Sequence, residues 1–183
     1  MKESKNKIIR LFQRFCLNFL PSKAYSFFLT MRVFNKFKRC IHSEKKFEKF
    51  SNNLDKINDF EFKITSQNNE DGIIDYIFTK IPNNKTFIEI GVGYYEFNSL
   101  NLIKNGWNGC IIEQNYEEFS VLKNLLKIFY NKSNIQLINK SVDKDNIVSI
   151  IEKFENKDKI DFFSIDIDGN DYWVLQNIDL SNV

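Results

Sequence analysis

The sequence predicts an α/β fold in which helices cover both faces of a parallel sheet. Three features carry that expectation: from residue 65 onward helical and strand-like apolar patterns alternate, a G-x-G turn follows the first strand, and acidic residues stand where strands end. A chain of 183 residues can form one such domain with a real core and a short appendage. We place a basic, helical N-terminal extension at residues 1–60 and the α/β domain at residues 61–183.

The elements follow in order. Ile73, Ile74, Ile77 and Phe78 recur at helical spacing, and Pro82 stops that helix. Residues 86–90 form the first buried strand. Residues 97–104 are helical and end at Asn105-Gly106, a good C-terminal stop. Residues 110–112 are the second strand, after which Asn115 and Glu118 have capping-box spacing. Phe119, Leu122, Leu125, Leu126 and Phe129 then make an apolar helical stripe. Residues 135–138 are strand three, Ile147, Ile150, Ile151 and Phe154 mark a helix, residues 160–165 are strand four, and residues 171–176 start a short helix. Right-handed connections between such units give a Rossmann-like doubly wound sheet, with a ligand crevice at the carboxyl ends of strands one and four. Function is therefore expected just after each strand.

Composition removes several classes of function. Cys16, Cys40 and Cys110 are widely spaced and odd in number, so they form neither a disulfide framework nor a metal-ligand pattern. His42 is the one histidine, which leaves no material for a zinc site or a Ser-His-Asp triad, and no metal is expected. Ile8, Ile9, Phe12, Phe15, Cys16 and Phe19 give residues 6–20 the spacing of a basic amphipathic helix that ends at Pro21. Arg10 and Arg14 interrupt its apolar face, and no run reaches the roughly 18 to 20 apolar residues of a spanning helix or has the form of a signal peptide, so a cytoplasmic protein is expected. Residues 1–50 hold 13 Lys and Arg against 3 Asp and Glu, whereas residues 51–183 hold 13 against 21. Such an arm suits weak peripheral contact with an anionic membrane through residues 1–20, or docking onto the acidic domain; no nucleic-acid partner is expected.

The chemistry sits at strand ends. Strand one runs into Glu89-Ile90-Gly91-Val92-Gly93, and glycines there allow a sharp bend and close approach of backbone to a ligand, or simply a tight turn into a helix. A dinucleotide fingerprint needs a third glycine at position 96, where Glu96 stands, so pyrophosphate is disfavoured, and with it an NAD or nucleotide-sugar enzyme. A carboxylate at Glu89 favours a cationic ligand instead. Strand two ends at Glu113, where nucleoside-binding sheets place an acid for the ribose hydroxyls. Strand four delivers Asp166-Ile167-Asp168-Gly169-Asn170-Asp171, which lacks the glycine and glutamate positions of a calcium loop. Asp168, Asn170 and Asp171 equally suit a turn and helix cap.

Taken together, four blocks resemble the successive motifs of FkbM-like methyltransferases, a class I branch. They are Ser66-Gln67-Asn68-Asn69-Glu70-Asp71-Gly72, Phe87-Ile88-Glu89-Ile90-Gly91-Val92, Gly106-Trp107-Asn108-Gly109 with Ile112-Glu113, and Ser164 through Trp173. The resemblance covers residues 64–183. It implies S-adenosylmethionine as cofactor, with Glu89, Gly91 and Gly93 around its methionine portion, Glu113 on its ribose, and Asp166 at the floor of the methyl-transfer site. Gln67 and Asp71 would close one side. The family implies O-methylation of a sugar or other small-molecule acceptor, with Asp168 or Asp171 as general base or substrate holder. It also implies a fifth strand and an antiparallel pair, so a truncated class I methyltransferase fold is expected, poorly active and prone to associate through strand four. A non-catalytic nucleoside-binding or membrane-associated module is the competing expectation.

Overall fold

The computed structural model describes residues 22–42, 56–94, 96–131, 134–154 and 160–179. The amphipathic helix expected over residues 6–20 lies outside them. Helix α1 spans Ser22–His42, a 3-10 turn spans Ile57–Phe60, and helix α2 spans Glu70–Lys80. Then come β1 (Thr86–Ile90), α3 (Ser99–Lys104), β2 (Asn108–Glu113), α4 (Tyr116–Phe129), β3 (Ile135–Asn139), α5 (Ile147–Ile151), β4 (Phe162–Ile165) and α6 (Asp171–Gln176).

The four strands form one parallel sheet in the order β3-β2-β1-β4. Ile88 pairs with Cys110 on one side and with Phe163 on the other. Alternation along each strand divides the side chains between two cores. Phe87, Ile111, Leu137 and Phe162 face the layer that holds α1, α3 and α4, while Ile88, Ile90, Cys110, Ile112 and Phe163 face the layer of α5 and α6. A sheet buried on both faces requires near-continuous apolar strands, and β1 is buried at every position. Its charged member, Glu89, therefore needs internal partners.

Strand four is shorter than its apolar run. Ile160 is buried but outside the ladder, because Asp161 turns back to β1. Its Oδ2 accepts hydrogen bonds from the Asn84 N–H at 2.9 Å and from the Thr86 N–H and hydroxyl, each at 3.0 Å. Among the described residues β4 pairs only with β1, so β3 and β4 are the sheet edges. No helix among the described residues is long and apolar enough to cross a membrane.

The boundary at residue 60 does not separate two cores. Tyr25, Leu29, Val33 and Phe37 recur every fourth residue along α1, and this stripe is buried against Val121, Leu122 and Leu125 of α4. Phe34 and Phe37 lie with ring centroids 5.2 and 5.7 Å from that of Phe129. Two polar contacts fix the register: the Ser26 and Ser120 hydroxyls are 2.6 Å apart, and Asn124 donates to the Thr30 hydroxyl at 3.2 Å. Residues 22–42 are thus a layer of the domain and not an appendage to it. Val33→Ala removes two buried carbons and is expected to lower stability by roughly 1.5 kcal/mol. Urea unfolding checks this, and an unchanged midpoint would place α1 outside the cooperative unit.

Candidate functional site

The strand order reverses between β1 and β4, and the crevice lies there, at the carboxyl ends of the strands. Gly91 forms its floor with φ of 78°, in the left-handed region that glycine tolerates. Its N–H donates to the Ile112 carbonyl at 2.9 Å, and a Cβ on Gly91 would stand 1.8 Å from the Asp166 carbonyl oxygen. The first glycine of the G-x-G turn is therefore wedged between β2 and the loop after β4. Gly93 does something different: it exchanges backbone hydrogen bonds with Glu96 at 3.1 and 3.3 Å, closing a tight turn.

Two carboxylates hold this turn from behind, and a third holds the start of α3. Glu113 accepts the Val92 N–H at 2.9 Å on Oε2 and the Asn115 N–H at 2.5 Å on Oε1. Glu118 accepts the Tyr94 N–H at 2.7 Å. Asn115 caps α4 as expected, accepting from the Glu117 and Glu118 N–H groups, but the reciprocal half of the capping box is missing because Glu118 reaches the turn and Glu113 takes the Asn115 amide. Glu89 accepts the Asn98 N–H at 2.7 Å and the Ser99 N–H at 2.9 Å. The glycine turn consequently does not open the helix itself; α3 begins at Ser99, with its first donors already bound to Glu89. A phosphate group would find those donors occupied and a carboxylate in its place.

The sequence-predicted residues divide into those that meet at the crevice and those that do not. Gln67, Glu89, Gly91, Gly93, Glu113, Asp166 and Asp168 all line it. Asp71 does not. It is fully buried, and its Oδ2 accepts the N–H groups of Ile64, Thr65 and Ser66 at 2.6, 2.9 and 2.9 Å and the Ser66 hydroxyl at 2.8 Å. Asp71 thus shapes the segment that precedes Gln67 and does not reach a ligand. Asp171 does not line it either: its two oxygens accept the Ile167 N–H at 2.9 Å and the Gly169 N–H at 3.2 Å, so it closes its own turn. The Ile167 amide above all holds its carboxyl below the ordinary aspartate range, which makes it a weaker base. Asp168, with φ of 52°, is presented at the top of that turn.

The cavity measures about 460 Å³, within the range of small-molecule and cofactor sites. Its wall is strongly anionic. Glu96, Glu118 and Glu70 add to the carboxylates already named, and among the described residues Lys140 is the one cationic side chain in the lining. Burial pushes the Glu89 carboxyl up, against the pull of its hydrogen bonds from Ser99 and Asn98. Burial also raises Glu118, and Glu113, Glu117 and Glu96 add to the effect by repulsion. A positive ligand group would relieve both. Among the described residues no cluster of His, Cys, Asp and Glu is arranged to hold a metal ion.

Several lining residues escape a reading of the sequence. Ser141 and Val142 follow β3, where the topological rule that function lies after each strand was the available signal. Glu118 carried only a helix-cap signal, and Asn98 carried none. Asn139 donates to the Glu113 carbonyl at 2.8 Å, and Ser141 meets Gln114 at 3.2 Å, so the end of β3 braces the end of β2. Compared with protein-family models the chain shows no match, and it shows no significant match to curated proteins or to solved structures.

Proposed function

We propose that the crevice binds S-adenosylmethionine and that the chain belongs to a methyltransferase acting on a hydroxyl of a sugar or other small molecule. The observation that carries this reading is an anionic crevice at the β1/β4 switch point whose helix N-terminus is already occupied by Glu89. A nucleoside that bears an ammonium and a sulfonium suits such a site, and one that bears a diphosphate does not. Gly91, Gly93 and Glu89 would surround the amino-acid portion, Glu113 would accept from the ribose through its remaining lone pairs, and Ser141 and Val142 would border the base. Bound there, the cofactor supplies an electrophilic methyl group. Asp166 and Asp168 would orient the acceptor hydroxyl and take up its proton, and confinement beside the sulfonium would provide the remainder by proximity.

Isothermal titration of the full chain with S-adenosylmethionine, S-adenosylhomocysteine and NAD tests the reading. Binding of the first two and no binding of NAD is expected; the reverse pattern overturns it. Binding without release of S-adenosylhomocysteine in the presence of candidate acceptors would favour a non-catalytic nucleoside-binding module.

Acidity gives a separate check. Glu89 and Glu118 have raised carboxyl values in the free protein, and a cationic ligand prefers them ionised. Affinity for S-adenosylmethionine is therefore expected to increase as pH rises through those raised values and to level off above them. A titration series across mildly acidic to neutral pH reads this out, and affinity that falls with rising pH contradicts the anionic-site account.

A further inference from the structure

Helix α1 commits one stripe to the core and leaves an opposite face that, among the described residues, no other element covers. Phe27 and Met31, one turn apart on that face, are 64% and 57% exposed. Arg32, Asn35, Lys38 and Arg39 are exposed further along it, and α1 contains no acidic residue. At about 100° per residue these six positions share an arc of roughly 140°.

A single exposed apolar side chain is ordinary. Large apolar side chains beside Arg32, Lys38 and Arg39, with no acidic residue in the helix, combine the two driving forces of an interfacial helix, apolar insertion and attraction to anionic lipid. The orientation of α1 is fixed by its contacts. Ser26 meets Ser120, Thr30 meets Asn124 and Phe34 meets Phe129, so α1 runs parallel to α4. Phe27 and Met31 therefore lie beside the middle of α4, from the level of Ser120 to just past that of Asn124. Lys38 and Arg39 lie farther along, past the level of Phe129 and away from Asn115, the capping residue that lines the crevice.

We infer that the outer face of α1 seats this domain on an anionic lipid surface, with Phe27 and Met31 entering the headgroup region and Arg32, Lys38 and Arg39 lying against the lipid headgroups. The inference is independent of what the crevice binds. A nucleic acid would meet the same cations, so an oligonucleotide is included in the test.

Co-sedimentation of the full chain with phosphatidylcholine vesicles, and with vesicles of phosphatidylcholine mixed with phosphatidylserine, tests it. Binding to the mixed vesicles is expected, weakening as salt rises from about 0.1 M to about 1 M and the Debye length shrinks from ~10 to ~3 Å. Phe27→Ser combined with Met31→Ser, and separately Arg32→Glu combined with Lys38→Glu, should each weaken binding by about tenfold or more with unchanged thermal unfolding. Because the basic residues 1–20 are intact in both variants, undiminished binding would assign any lipid contact to that arm and overturn the inference. Equal binding to neutral vesicles would overturn it too. So would tighter binding to a single-stranded oligonucleotide that ignores Phe27→Ser, or a concentration-dependent dimer that the serine variant abolishes.

Discussion

Asp71→Ala is expected to lower stability by about 4 kcal/mol or more. The carboxylate is fully buried, and one of its oxygens serves three consecutive backbone N–H groups and a hydroxyl. Alanine would strand those donors away from water, at roughly 1 to 3 kcal/mol each. The residues that lead into this segment are held as well: the Gly72 N–H donates to the Phe62 carbonyl at 3.2 Å, and a Cβ on Gly72 would lie 1.9 Å from the Phe60 carbonyl oxygen. Asp71→Asn keeps an acceptor but loses the charge and places an amide nitrogen at a position where, among the described residues, Oδ1 has no hydrogen-bond partner. Its cost should therefore be substantial but smaller. Urea unfolding of both variants measures the difference, and a loss below about 1 kcal/mol for alanine would mean that water satisfies the turn instead.

Gly91→Ala should damage fold and binding together. The left-handed φ of 78° costs about 1 to 2 kcal/mol for alanine, and the new Cβ would meet the Asp166 backbone, which cannot step aside as a flexible side chain could. Separating β1 from the loop after β4 would widen the crevice floor. We expect a total loss of about 3 kcal/mol or more and no measurable S-adenosylmethionine binding. Two other glycines provide controls. Among the described residues Gly169→Ala meets nothing within 4 Å at φ of 98°, so it should cost only the conformational term, on the order of 1 kcal/mol. At Gly93 the nearest atom to a Cβ is 3.5 Å away, an ordinary contact, and alanine should leave stability within about 0.5 kcal/mol while crowding a bound ligand. If Gly91→Ala and Gly93→Ala proved equally stable, the wedge described for Gly91 would be wrong.

These effects also explain what sequence could and could not convey. Strand and helix periods are local, and the four strands and the helices between them were legible, as was the G-x-G turn at the end of β1. What a carboxylate touches is not local. Asp71, Asp168 and Asp171 look alike as acidic residues near strand or helix starts, yet one staples a buried turn, one faces the crevice and one closes its own loop. Glu118 had the spacing of a capping box, but its partner is the Tyr94 amide, more than twenty residues earlier in the chain. In α1 the buried stripe of Tyr25, Leu29, Val33 and Phe37 was hidden by Phe27 and Met31 on the other face, because an apolar residue exposed on a helix weakens the contrast that marks its buried side.

Amide NMR spectra recorded during titration of the full chain with S-adenosylmethionine would show whether the proposed cofactor enters the anionic crevice at the ends of β1, β2, β3 and β4. The resonances of Gly91, Val92, Gly93, Ser141 and Asp166 are expected to shift together along a single binding curve, with those of α5 little changed. Shifts confined to α1, or the same crevice amides responding to NAD and not to S-adenosylmethionine, would contradict it.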